Sequence, residues 1–190
     1  MAERPMRCYA CSMHDSARLA NLLGAAALGL TDVVLAAVRA AGATSISGDA
    51  ALVVLSTSPG LSVTELGRHV GLTQSAAARM VDSLAAAGLV RREPAAGRAV
   101  AVVLTANGHR TAARLLAARS ARLDALIATL PDADQRVLEG LLESLLTGLY
   151  SETGDAALLC RLCDRAGCVR DAPCPVGAAE FARAAERDRG

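Results

Sequence analysis

The sequence predicts a mainly α fold: a winged helix-turn-helix with a two-stranded β wing, set between long terminal helices. Two observations carry this. The stretch Leu61 to Leu104 holds two short helical patterns joined at Gly71, then two Val-rich runs joined by a tip from Pro94 to Gly97. On either side of it, apolar residues repeat at helical spacing over segments too long for strands.

Residues 1–15 form an N-terminal arm, and a helix follows from Ser16 to about Ala41 within a first unit, 16–45. Its run Leu19 to Val38 is apolar enough to raise the question of a membrane span. Asn21, Thr31 and Asp32 argue against one, because an acid at the centre of a spanning helix costs about 2.5–3.5 kcal/mol on insertion scales. The run reads instead as a long helix buried against other protein. Gly42 to Gly48 is a connector, and Asp49 to Ser56 is a short helix stopped before Pro59 and Gly60.

The winged unit spans 46–110. Ser62, with Glu65 three residues later, has capping-box spacing, in which side chain and backbone satisfy each other's orphan groups. Leu66 and Val70 share a helix face, and Gly71 permits a tight turn because it tolerates positive φ. Thr73 or Gln74 opens a second helix with Ala77, Val81 and Leu84 inward. Its other face carries Thr73, Gln74, Ser75, Ala76 and Arg79. That composition suits a helix in a major groove: small residues allow close approach, while Gln and Arg pair with adenine and guanine edges. Gly88 ends the helix where a left-handed residue is favoured.

Two strand-like runs follow, Leu89 to Arg92 and Ala99 to Leu104. Arg91, Arg92 and Arg98 make this hairpin basic, as a wing beside a phosphate backbone should be. Thr105 caps a long helix whose Leu115, Leu116, Leu123, Leu126, Ile127 and Leu130 fall largely on one side. Pro131 marks a break, and Asp132 shares in starting the last helix of the 111–150 unit. There Val137, Leu138, Leu141, Leu142, Leu145, Leu146 and Leu149 make an apolar stripe wide for a lone surface helix. Core and subunit interface explain that stripe equally well.

With these residues in this order, the chain resembles the MarR family of transcriptional regulators over roughly residues 17–150. The likeness rests on Leu66 to Gly71, on Ser75, Arg79, Val81, Asp82, Leu84, Gly88, Leu89, Val90 and Arg92 at their spacing, and on the wing with Leu104, Thr105 and Gly108. It implies a homodimer built from the terminal helices (16–45 and 111–150), binding double-stranded DNA at a pseudo-palindromic operator and usually repressing transcription. Two reading heads then face half-sites about one helical turn apart. Ser62, Thr73, Gln74, Ser75, Ala76, Arg79, Arg91, Arg92 and Arg98 are the expected DNA-binding residues. The family wing usually has an Asp shortly before its tip Arg, whereas Ala95, Ala96 and Gly97 precede Arg98 here.

Charge agrees with one face meeting DNA. All twenty basic residues are Arg and the net charge is +1, but the average hides an asymmetry. Leu61 to Arg122 holds nine Arg against Glu65, Asp82 and Glu93, whereas Leu130 to Asp155 holds six acids against Arg136 alone. A basic reading head joined to an acidic segment follows. The core must be mostly Leu, Val and Ala, since aromatics are 2% of the chain. The first fifteen residues contain no apolar signal-peptide core, so a cytoplasmic chain without membrane association is expected.

Past the domain, Cys160, Cys163, Cys168 and Cys174 are spaced C-x2-C-x4-C-x5-C-P within a segment 155–177, followed by a C-terminal tail, 178–190. In a reducing compartment such a cluster points to metal or redox chemistry rather than a disulfide framework. Two metals suit it. An iron–sulfur cluster takes four thiolates, often with Pro after the last, and the C-x5-C-P ending resembles the loop of redox-sensing iron–sulfur regulators of the MerR family, whose second spacing is shorter. Zn2+ also accepts four thiolates, and the spacing resembles a zinc knuckle with Cys168 where His commonly stands. Because the segment adjoins the last helix, a change of metal or redox state is expected to act through terminal-helix packing. Cys8 and Cys11 form a further pair to which no role is assigned.

Other classes fit less well. His14, His69 and His109 are isolated in sequence, and no Gly-rich phosphate loop, nucleophile elbow or His-x-x-x-His pair appears, so no enzyme is expected. An electron-transfer or metal-carrier protein would leave the winged unit unexplained. The family resemblance also allows a small organic effector bound between dimerisation and reading units, with a purely structural Zn2+ site.

Overall fold

The computed structural model describes residues 9–42, 44–94 and 100–189. Arg98 and Cys8 therefore lie outside the described residues. Helix α1 runs Tyr9–Ala41, so it starts within the segment read as an arm. Helix α2, Ile46–Thr57, starts earlier than Asp49 because Ser45 caps it, its Oγ accepting from Gly48 N at 3.2 Å. Then come α3 (Val63–His69), α4 (Gln74–Ala86), β1 (Val90–Pro94), β2 (Val100–Leu104), α5 (Ala106–Ile127) and α6 (Asp132–Thr153). The expected break at Pro131 is present, although no side chain caps α6 and Asp132 only sits in its first turn.

Helix α2 is the axis of the packing. Ala50 to Leu55 are all buried, which leaves this helix no polar outer face. Leu66, Val81, Leu84, Val102 and Leu115 close around it from α3, α4, β2 and α5. The core is accordingly aliphatic. Asp49 is wholly buried in the first turn of α2, where Thr44 Oγ1 donates to its Oδ1 at 2.9 Å; there a carboxylate also faces the positive end of the helix dipole.

The wing is an antiparallel pair in the register Val90↔Leu104 to Pro94↔Val100. Leu61 adds a bridge to Val102, whose N–H donates to Leu61 O at 2.8 Å while Gly60 N–H donates to Val102 O at 3.2 Å. The turn before α3 is thereby stitched to the wing.

The terminal helices are bare on one side. Leu19, Leu22 and Leu23 of α1 and Val137, Leu141 and Leu145 of α6 are exposed. Ser16–Ala41 is long and apolar enough to cross a membrane by length and composition, and only 6% of its most apolar window is buried within the chain. The long helix is therefore not buried in its own subunit.

Beyond α6 the cysteine segment is folded rather than a loop. It forms α7 (Ala156–Leu159), α8 (Arg165–Cys168) and α9 (Pro175–Arg187), so most of the segment read as a tail is helix. Helix α9 packs along α6, with the Arg183 guanidinium 6.0 Å from the centre of the buried Tyr150 ring.

Candidate nucleic-acid interface and candidate metal centre

The helix-turn-helix is built by its caps. Ser62 Oγ accepts from Glu65 N at 3.2 Å, and Ser62 N–H donates to Glu65 Oε2 at 2.8 Å, the reciprocal box expected. Hydrogen bonding to the Glu65 carboxyl by the Ser62 side chain, and next by the Ser62 backbone N–H, holds it below the ordinary range. Gly71 and Gly88 take positive φ, +71° and +68°, ending α3 and α4 where the sequence requires. Thr73 is the N-cap of α4 and accepts from Ala76 N at 3.4 Å.

Because Ala77, Met80, Val81 and Leu84 face the core, helical geometry turns Ser75 and Arg79 outward, while Gln74 flanks the core face at the first helical position, and all three are exposed. Thr73 is exposed as well and Ala76 is half-buried. These five residues share one end of α4, with Ser62 a turn before α3.

The wing differs from a freely basic hairpin. Arg92 Nη2 pairs with Asp82 Oδ1 at 2.7 Å, and Arg91 Nη2 pairs with Glu93 Oε1 at 2.6 Å. Both pairs are surface pairs, worth roughly 0–1 kcal/mol, so a phosphate can replace either carboxylate. The Arg92–Asp82 pair links wing to α4 across ten residues of sequence.

The four C-terminal cysteines come together. Cys160 closes α7, Cys168 ends α8, and Cys174 caps α9, its Sγ accepting from Gly177 N at 3.4 Å. Cys163 N–H donates to Cys160 O at 2.9 Å, making the tight turn of the C-x2-C unit. Asp155 and Asp164 cap the two short helices through Leu158 N and Gly167 N. All four cysteines are free thiols, and all four line one cavity of about 280 Å3.

The four thiols influence one another electrostatically, Cys160 with Cys174 and Cys168, and Cys163 with Cys160. Among the described residues no three His, Cys, Asp or Glu side chains already stand in an ion-holding arrangement. Burial, then repulsion from Cys174 and Cys168, raises the Cys160 pKa; burial and Cys160 raise that of Cys163, which Arg119 opposes. Cys168 is exposed as a residue, yet partial desolvation of its thiol, followed by repulsion from Cys163 and Cys174, pushes its pKa up to about 11. Raised in this way, these thiols are protonated near neutral pH and sit together uncharged; as a set of four sulfur donors the cysteines are of the chemical kind that zinc or an iron–sulfur cluster takes once they lose their protons.

A pH dependence follows for the metal-free protein. The folded pKa of Cys168 lies above its ordinary value of 9.0, so its contribution to stability is complete below pH 9 and lost as pH rises towards 11. Thermal melts of chelated protein should fall over that window, and Cys168→Ser should flatten the fall; an unchanged slope would place the titrating group elsewhere.

The cavity has a second wall that the sequence did not reveal. Val53, Val54 and Thr57 of α2 and His69 of α3 line it opposite the thiols. On the other side of the same cysteines, a cavity of about 370 Å3 is lined by Leu30, Val34 and Leu35 of α1, Arg119 and Leu123 of α5, and Leu146 of α6. The thiol cluster thus stands between the winged unit and the long helices, whereas its sequence position had pointed to the terminal helices alone.

The MarR family model matches residues 50–99. The HTH-type transcriptional repressor Rv2887 of Mycobacterium tuberculosis is 37% identical over 94 residues, covering 48% of this chain and 68% of the repressor. The crystal structure of Rv2887 superposes with a TM-score of 0.54 at 34% identity, covering 70% of this chain and 97% of that one. Its complex with DNA gives 0.54 at 34% identity, covering 67% and 96%, and its complex with salicylic acid gives 0.52 at 36% identity, covering 67% and 95%. A MarR family protein from Bacillus stearothermophilus shares the fold, with a TM-score of 0.65 at 23% identity over 73% of this chain and 97% of that one.

Proposed function

The chain belongs to the MarR family of transcriptional regulators, and from that premise we propose that it is a cytoplasmic, homodimeric repressor whose grip on a pseudo-palindromic operator follows the state of a metal centre at its four C-terminal thiols. A transcriptional regulator of this family is not an enzyme. The observation that carries operator binding is the exposed face of α4, where Ser75 and Arg79 point outward, beside the exposed Gln74, from a helix anchored by Ala77, Val81 and Leu84. Gln and Arg offer bidentate donors to adenine and guanine in the major groove. Thr73, Ala76 and Ser62 flank that face, while Arg91, Arg92 and Arg98 bring the wing to the adjacent backbone. A relative solved with DNA, Rv2887, supports the same use here.

The bare apolar faces of α1 and α6 support dimerisation. Exposed leucines at this density call for a partner, and two-fold pairing supplies two reading heads for two half-sites.

Cys160, Cys163, Cys168 and Cys174 would hold the metal, with the Gly177 N–H to Cys174 Sγ as an outer contact. An iron–sulfur cluster would supply oxidant and nitric oxide sensitivity, whereas Zn2+ would supply a fixed cross-link. Protein purified without oxygen should be brown with iron and acid-labile sulfide, or colourless with about one zinc per chain. Cys160→Ser with Cys163→Ser should abolish either. Operator binding should differ between loaded and chelated dimer; loss of metal with unchanged binding by folded dimer would leave only a structural staple.

A second reading has its own observation. The 370 Å3 cavity between α1, α5 and α6 is walled by leucine and valine with Arg119 at its edge, a setting for a small aromatic acid. The relative Rv2887 was solved with salicylic acid. Calorimetric titration of the dimer with salicylate separates this effector reading from the metal one.

A further inference from the structure

Resting on the reading of the four thiols as a metal site, we propose that the loaded site works as a strut inside each subunit, with α7 wedged between the helix-turn-helix and the long helices. Occupancy then sets the pose of the reading head directly, and not through the packing of terminal helices. The residues that anchor α7 alternate with those that ligate. Leu158 lies against the turn of the helix-turn-helix, so close that a Cβ on Gly71 would meet its Cδ1 at 3.2 Å. Leu159 lines the cavity walled by α1, α5 and α6, and Leu162 packs on the main core. Cys160 and Cys163 stand among these three leucines, and the thiol cavity has His69, the last residue of α3, in its wall.

Helix α7 has four residues, far too few to hold a helix by itself. Its geometry comes from the Asp155 cap, from the Cys163 N–H to Cys160 O turn, from packing against α3 and α9, and from whatever the two thiols bind. With the thiols ligated, the turn that carries Leu158, Leu159 and Leu162 is fixed, and both sides of the wedge are seated. With the thiols free, that turn is released and the head can swing relative to the long helices. A head already ordered loses less freedom on binding DNA, so the loaded dimer binds its operator more tightly.

The test uses the full chain as a dimer, purified without oxygen and compared with its chelated form. For wild type, metal loading should raise operator affinity about tenfold, a usual size for coupling between sites. Leu158→Ala should keep the metal content per chain yet bring that ratio close to one. Metal retained together with wild-type dependence would overturn the strut. Wild-type protein that binds no metal would overturn the underlying reading and the strut with it. Amide hydrogen exchange on wild type gives an answer even where Leu158→Ala folds poorly: loading should slow exchange in Val63–His69 and Ala156–Leu159. Slowing confined to α6 and α9 would assign the signal to the terminal helices instead.

Discussion

Gly108→Ala should lower the melting temperature of the dimer although it places the best helix former in the first turn of α5. Helix propensity alone favours the change by about 1 kcal/mol. Packing opposes it, because a Cβ at this position would overlap the Leu89 carbonyl oxygen and lie 3.1 Å from Leu104 Cδ2. That carbonyl cannot withdraw freely. It accepts the Thr105 N–H at 3.0 Å, and the Thr105 hydroxyl donates to Gly88 O at 2.7 Å while accepting from Gly108 N at 3.1 Å. The methyl must therefore either strain the contact or break the cap that joins α5 to the α4–β1 turn. Overpacking of this kind costs about 1–3 kcal/mol and a lost cap about 1 more. The net should be a destabilisation of about 2 kcal/mol, or roughly 4–8 °C for a chain of this size. A calorimetric midpoint that rises would mean that the turn absorbs the methyl and that propensity wins.

The parts of the fold that were legible in the sequence are those fixed by local chemistry. Ser62 with Glu65, Thr73, Gly88 and Thr105 each announce a helix boundary through a side chain or a φ that only a few residues supply, and each boundary falls there. Ser45 was missed as a cap because it lies among polar connector residues, which shortened α2 in the sequence reading. Helices α7 and α8 carry no apolar period at four residues each, and only Asp155 and Asp164 mark them. The pairing of Arg92 with Asp82 was also illegible, since ten intervening residues and a helix end decide it. So was the meeting of the thiols with His69, which depends on how α7 folds back over α3. Spacing singled out the four thiols, but their place beside the reading head is a tertiary fact.

Arg79→Ala should weaken binding to the operator far more than to unrelated duplex. Arg79 is exposed on the same end of α4 as Gln74 and Ser75, and neither ion pair found among the described residues involves it. Arg91 and Arg92 by contrast must each exchange a carboxylate for a phosphate. A bidentate arginine–guanine contact is worth about 1–3 kcal/mol, and a two-fold dimer loses it at both half-sites, about 2–6 kcal/mol in all. With a duplex selected from a randomised pool, the variant should bind at least ~30-fold more weakly, relax its preference at one base position per half-site, and keep its salt slope. Arg92→Ala should do the reverse, losing affinity evenly across sequences with a shallower slope. The carboxylate of Asp82 beside that guanidinium makes the loss small. Equal losses for Arg79→Ala on operator and unrelated duplex would move Arg79 to the phosphate backbone and leave base reading to Gln74 and Ser75.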